Sequence, residues 1–189
     1  MEIKSAKFVR GIVNMDPILK DGLPQVAFIG RSNVGKSSVI NSLVGSKTLV
    51  KIGKVPGKTT EINYFLINNK FYFVDLPGYG YAQGGKVQIE KIRNMIVLYL
   101  RETGTKPTLV ILIIDIKAGL MEFDKNSLAV LREEGINYLV VANKSDKLNQ
   151  KEASEQLKKI RRDANEDDIV LYSSTEKPRS KLILDKILL

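Results

Sequence analysis

The stretch from Gly30 to Ser37, read as GRSNVGKS, limits what this chain can fold into more than any other. It follows the apolar run Val26, Ala27, Phe28 and Ile29, and it opens into a helical pattern with Val39, Ile40, Leu43 and Val44 on one face. Strand, glycine-bounded loop and helix in that order are the setting a phosphate loop requires. Small residues let successive backbone N–H groups curl around a phosphate, and the helix N-terminus aims its partial positive charge at the same point. Gly30, Arg31, Ser32, Asn33, Val34, Gly35, Lys36, Ser37 and Ser38 are therefore expected to line a phosphate site. Lys36 is expected to reach the β- and γ-phosphates and Ser37 to offer its hydroxyl to Mg2+. The loop alone leaves open which nucleotide binds, and whether the protein is a kinase, a motor or a switch.

A length of 189 residues suits one domain with a single sizeable core, and the whole of 1–189 is expected to be that domain. Residues 1–23 read as an N-terminal extension and 24–189 as the nucleotide-binding core. With 43% hydrophobic and 27% charged residues, the composition is that of an ordinary globular protein. Cysteine, histidine and tryptophan are absent, which removes disulfides, Cys or His metal sites and histidine-based triads. Hydrolytic chemistry must then use backbone groups, Lys, Arg, Asp, Asn and Mg2+. The longest apolar run, Leu109 to Ile114, is far short of the ~20 residues of a membrane span, and the N-terminus lacks a signal-peptide core. A cytoplasmic location is expected. Thirty Lys and Arg against 21 Asp and Glu give a formal charge of +9, which favours an acidic partner such as nucleic acid.

Taken in order, Phe8, Val9, Ile12 and Val13 alternate with Lys4, Lys7 and Arg10 in an edge-strand pattern that leads to a turn around Asp16, Pro17, Asp21 and Gly22. Gly45 can end the first helix, and the basic segment that follows, as far as Pro56 and Gly57, reads as a mobile loop. Ile62 to Ile67 and Phe71 to Val74 flank Asn68, Asn69 and Lys70, a hairpin signal. A glycine-rich loop, Gly78 to Gly85, precedes a helix striped by Ile92, Met95, Ile96, Tyr99 and Leu100. Thr108 to Asp115 and Tyr138 to Ala142 read as buried strands around a helix carrying Leu128 and Leu131. The next helix turns Ala153, Leu157, Ile160 and Ala164 inward and Lys158, Lys159, Arg161 and Arg162 outward. A strand at Ile169 to Tyr172 and a helix around Leu182 to Leu188 complete the alternation. The pattern predicts a doubly wound α/β three-layer sandwich, with a mostly parallel sheet and one antiparallel hairpin pairing. Ligands bind such sheets at the carboxyl ends of the strands.

Those ends hold the residues that choose a nucleotide. Asp75, Leu76, Pro77 and Gly78 close the hairpin's second strand, where the carboxylate can hold Mg2+ through water and the glycine N–H can meet a γ-phosphate. Asn143, Lys144, Ser145 and Asp146 end the next parallel strand but one. A carboxylate at Asp146 accepts hydrogen bonds from both the N1–H and the 2-amino group of guanine, and adenine offers no such pair. Lys144 can lie along the base and reach the phosphate loop. Tyr172, Ser173 and Ser174 close the last strand, where backbone N–H groups would meet the guanine oxygen.

Together these form the motif set of a P-loop NTPase of the Ras-like, translation-factor-class G domains. With VPGKTTEIN at Val55 to Asn63, DLPGYGYA at Asp75 to Ala82 and NKSDK at Asn143 to Lys147, the chain resembles the EngB (YihA/YsxC) family of bacterial ribosome-assembly GTPases along essentially its whole length. The resemblance implies that Thr59 is the switch I threonine that ligates Mg2+ in the GTP state. It makes Gly57, Lys58, Thr59, Thr60 and Glu61 the loop around that ligand. It also implies GTP and GDP as ligands, a part in large ribosomal subunit assembly with rRNA and ribosomal proteins as partners, and a requirement for normal cell division and septation. A monomer is expected. Thr60 stands where the family usually has Gln, Ile92 where tryptophan is common, Lys117 within a more typical Asp-x-Arg-His, and Arg179 where glycine is usual.

Ras-like proteins use a glutamine after the switch II glycine to orient the attacking water. Tyr79 holds that position and cannot replace the amide, so intrinsic hydrolysis is expected to be slow, with Lys36, Thr59 and Gly78 as its machinery. Asn33 either shapes the loop or, as in the cation-dependent G domains it resembles, holds a K+ ion between the phosphates. Lys47, Lys51, Lys54 and Lys58 before the hairpin, and Lys86, Lys91 and Arg93 after switch II, could sense RNA phosphates. Two other readings stand beside the GTPase switch: an RNA-binding assembly module with incidental hydrolysis, and a P-loop small-molecule kinase, against which NKSD and DLPG argue.

Overall fold

The structure, a computed structural model, describes residues 2–13, 16, 18, 21–46, 48–50, 61–80, 85–102, 106–176 and 179–187. Strands β1 (Ala6–Ile12), β2 (Gln25–Gly30), β3 (Ile62–Ile67), β4 (Phe71–Asp75), β5 (Leu109–Asp115), β6 (Tyr138–Asn143) and β7 (Ile169–Leu171) form one sheet in the order β1-β3-β4-β2-β5-β6-β7. Around it run α1 (Lys36–Leu43), α2 (Gly85–Glu102), α3 (Glu122–Glu133), α4 (Gln150–Ala164) and α5 (Ser180–Leu184).

β2 is buried along its whole length and β5 along all but its last residue, because both faces of these central parallel strands are covered. Val26 and Phe28 face α1 and α5, while Ala27 and Ile29 face α2, α3 and α4, so two apolar layers sandwich the sheet. The doubly wound, mostly parallel architecture expected from the sequence is the one observed. The predicted hairpin pairing joins β3 to β4, and β3 also pairs antiparallel with β1, so β3 runs against its neighbours on both sides. Asn68 and Asn69 take φ of 52° and 54° in the hairpin turn. Their side chains tolerate this left-handed backbone better than most. Asn68 does more than turn: its side chain accepts the N–H groups of Lys4 and Ser5 and donates to the carbonyl of Glu2, fastening the segment before β1.

Element ends follow local chemistry. Asn149 caps α4 by accepting the N–H of Glu152, whose carboxylate returns to the Asn149 N–H. α1 ends at Gly45, as its sequence predicts, with Ser46 N–H bonded to Asn41 O at 3.0 Å. α5 starts earlier and stops sooner than the pattern Leu182 to Leu188 suggests. Ser180, its first residue, hydrogen-bonds the Tyr172 hydroxyl and the Ser42 carbonyl, which sets the start, and a turn at Asp185 sets the end. Among the described residues no helix is long and apolar enough to cross a membrane.

Candidate nucleotide site

β2 delivers the loop Gly30 to Gly35 to the carboxyl edge of the sheet, and Lys36 begins α1 directly after it. Gly35 has φ of 91°, and a Cβ there would lie 2.4 Å from Asn143 Nδ2, so glycine is required for both backbone and space. The reason for the tight approach is a clasp between two strand ends. Asn143 is fully buried and donates through Nδ2 to the carbonyl of Val34 at 2.9 Å. Lys144 donates to the carbonyl of Asn33 at 2.6 Å and pairs with Asp115 Oδ2 at 2.8 Å. The loop after β6 thus holds the loop after β2, with the end of β5 as its brace. Asn33 and Lys144 both sit at positive φ, 68° and 64°.

At the far side of the cradle Lys36 forms an ion pair with Asp75, and the two residues are 9% and 5% exposed. Ser37 follows on the first turn of α1, partly buried, and Ser38 is next to it. Leu76 and Pro77 are buried behind Asp75, with the Leu76 N–H bonded to the Phe28 carbonyl at 3.2 Å. Gly78 lies against the phosphate loop: Ser32 Oγ donates to its carbonyl at 3.2 Å, and a Cβ would stand 3.2 Å from the Ser32 backbone. Tyr79 turns away from the cradle and is completely buried.

A short 3-10 turn, Ser145–Lys147, carries Asp146. Its Oδ1 accepts the Ser173 hydroxyl at 2.7 Å, and Lys147 stands 3.4 Å from Oδ2. The Ser173 hydroxyl is the main reason the Asp146 carboxyl is held below its ordinary value; burial works the other way. That hydroxyl also accepts the N–H groups of Thr175 and Glu176, which fixes the bend containing Ser174. Ser145 N–H bonds the Tyr172 carbonyl at 3.0 Å, and the Tyr172 hydroxyl reaches Ser42 on α1 and Ser180 on α5. The two loops expected to meet a base are therefore tied to each other and to the phosphate helix.

The structure brings together the predicted residues of the phosphate loop, Asp75 to Gly78, Asn143 to Asp146 and Tyr172 to Ser174. Gly57, Lys58, Thr59 and Thr60 lie outside the described residues, as do Lys47, Lys51, Lys54, Tyr81 and Ala82. Glu61 is not drawn to the cradle; its carboxylate lies beside Gly11 of the edge strand. Lys86 and Lys91 are exposed, but Arg93 sits with its guanidinium 4.8 Å from the Phe123 ring centroid. It is engaged with an aromatic ring and not presented as a bare cation. Asp115 is a residue the sequence reading did not assign to the site. A carboxylate that ends an apolar parallel strand at its carboxyl edge was the available signal.

The family model described as "50S ribosome-binding GTPase" matches residues 25–144. The "Probable GTP-binding protein EngB" of Aquifex aeolicus is 42% identical over 165 residues, covering 87% of this chain and 90% of that protein. That of Clostridium kluyveri is 41% identical over 180 residues, covering 94% and 91%. The chain belongs to the EngB family. A crystal structure of an EngB protein, "Crystal structure of a probable GTP-binding protein engB", superposes with a TM-score of 0.74 at 26% identity, covering 86% of this chain and 96% of that one.

As an EngB protein the chain is a GTP-binding GTPase, and GTPases of this kind generally use Mg2+. The departures noted in the sequence fall around the site more than in it. Ile92 is 1% exposed in the core beneath α2, and Lys117 is exposed with its backbone N–H bonded to Asp115. Arg179 is exposed just before α5, and Thr60 lies outside the described residues.

Proposed function

We propose that this EngB GTPase is a switch in assembly of the large ribosomal subunit, acting in the cytoplasm as a monomeric single G domain over residues 1–189 and needed for normal division and septation. The match to a family described as 50S ribosome-binding GTPases carries this reading, and a formal charge of +9 supports a partner rich in phosphate. Asp146 selects guanine, with Lys144 along the base and the loop of Tyr172, Ser173 and Ser174 behind it. Gly30 to Ser38 hold the phosphates, with Lys36 on the β- and γ-positions and Gly78 on the γ-phosphate.

Ser37 and Asp75 present a hydroxyl and a carboxylate, the hard oxygen donors that suit Mg2+, and Thr59, the third expected ligand, lies outside the described residues. Ser37 and Asp75 would hold the ion, which would supply positive charge against that developing on the phosphates. Hydrolysis is slow because the side chain after Gly78 is buried and gives no amide to orient water. A protein sedimented through sucrose with ribosomal particles tests the switch. Association with a large-subunit particle is expected with a GTP analogue and not with GDP, weakening steeply over a salt series. Equal association with both nucleotides would refute it.

Asn33, at positive φ on the rim of the phosphate loop and exposed, supports a role for K+ in completing the site. Turnover is expected to be severalfold faster in KCl than in NaCl. An Asn33→Ala protein that keeps this difference would sink the proposal.

A further inference from the structure

Asp124 belongs to none of the nucleotide motifs, yet it is one of the most deeply buried carboxylates among the described residues, 1% exposed. It stands on the core side of α3, in line with buried Leu128 and Leu131, where an apolar residue would cost less. Burial pushes its carboxyl up from the ordinary value, and hydrogen bonds oppose that. Those bonds show what it is for. One oxygen accepts the N–H of Met121 at 2.8 Å, closing the first turn of α3. The other accepts the hydroxyl of Tyr79, whose ring is fully buried and packs on Phe123 with centroids 4.4 Å apart.

Tyr79 is also pinned through its backbone to both sides of the phosphate loop's entry. Its N–H donates to the Gly30 carbonyl at 3.3 Å, and its carbonyl accepts the Ser32 N–H at 2.7 Å. Gly78, the residue before it, is pressed on Ser32, so that a Cβ would stand 3.2 Å from the Ser32 backbone and force it to give. The two backbone bonds hold the Gly78–Tyr79 peptide against the phosphate loop, next to the peptide that carries the Gly78 N–H, and the tyrosine hydroxyl ties the same residue to α3 through Asp124, with Ser127 beside it.

We propose that Tyr79 and Asp124 are positioning residues that set the Gly78 N–H for the third phosphate, so that preference for GTP over GDP depends on the bond between them. This rests on Gly78 being the γ-phosphate contact. Removing the bond frees the Gly78 peptide to take orientations in which its N–H misses the γ-phosphate. The diphosphate does not reach that far, and its affinity stays as it was.

Binding of a fluorescent GDP and a fluorescent non-hydrolysable GTP analogue by the full chain measures the effect directly, with melting in excess GDP as the check on folding. Tyr79→Phe and Asp124→Ala are each expected to lower the analogue-to-GDP affinity ratio about tenfold, with GDP affinity unchanged. Tyr79→Phe keeps the ring packing and removes one hydroxyl, so it reads the bond even where Asp124→Ala folds poorly. Gly78→Ala separates the premise from the inference. If it lowers the ratio and Tyr79→Phe does not, the positioning role is overturned and the Gly78 contact stands. If none of the three lowers the ratio, both are overturned. Equal loss of both nucleotides in Tyr79→Phe marks a merely structural role and also overturns the proposal.

Discussion

Asp146→Asn is expected to lower GDP affinity by about a hundredfold or more and to transfer preference to xanthosine diphosphate. The carboxylate can accept from guanine N1–H and from the 2-amino group; a bond to a charged acceptor is worth about 1.5–3 kcal/mol, and the substitution loses one such bond, weakens the other to a neutral one and sets two donors against each other, a cost of about 3 kcal/mol or more. Asparagine still accepts from N1–H, but its amide N–H meets the 2-amino group donor to donor. Xanthine has a carbonyl at that position and restores the pair. The Ser173 hydroxyl, 2.7 Å from Asp146 Oδ1, finds an acceptor in either side chain, so the loop should keep its shape. Titration of both diphosphates by calorimetry checks it. Loss of both would mean that the substitution had damaged the site in general and that Asp146 does not read the base.

Lys36→Met is expected to destabilise the nucleotide-free protein by about 3–5 kcal/mol and to abolish tight nucleotide binding. Its partner Asp75 is 5% exposed, and without Lys36 that carboxylate is left buried and uncompensated. For a chain of this size the loss corresponds to a fall in Tm on the order of 10 °C. Adding Asp75→Leu removes the stranded charge, and the double variant should recover most of the stability, since apolar replacement of a buried ion pair is often neutral or better. Nucleotide binding should remain absent in both. Urea unfolding and GDP titration of the single and double variants separate the two effects. A double variant no more stable than Lys36→Met would show that the pair is not what holds this corner together.

Much of the scaffold was legible because its signals are local. Apolar runs of strand length marked β2, β5 and β6, and paired asparagines marked the hairpin. The cradle's residues were legible too, since a phosphate loop needs its glycines and lysine at fixed spacing. The reach of Lys144 to the phosphate loop was legible, and it meets Asn33 across 111 positions. Other bonds between distant loops escaped: Asn143 meets Val34 across 109 positions, and nothing in either stretch announces the other. Tyr79 was read by what it replaces. Its orientation is decided by an acceptor 45 residues away, and the trace of that in the sequence is a single aspartate on an apolar helix stripe. Arg93 stands among the cations expected to sense RNA phosphates because charge alone does not reveal a ring beside it. The extent of α5 was missed since Ser180 starts it through bonds to Tyr172 and Ser42, and a periodicity argument sees only leucines and isoleucines.

The pairing of β1 with β3 carries a consequence for the order of events on the ribosome that makes this chain. β1 emerges before the hairpin, but its partner is the strand that ends at Ile67, opposite Ala6. β3 closes on β4 through a three-residue turn, at little entropic cost, whereas joining β1 to β3 closes a far longer loop. The strand made before the hairpin is therefore seated after it, and until then Phe8 and Val9 have no sheet to lie on. The side chain of Asn68, at the hairpin tip, bonds Glu2, Lys4 and Ser5, so the turn that forms early also carries the hook that catches the waiting end.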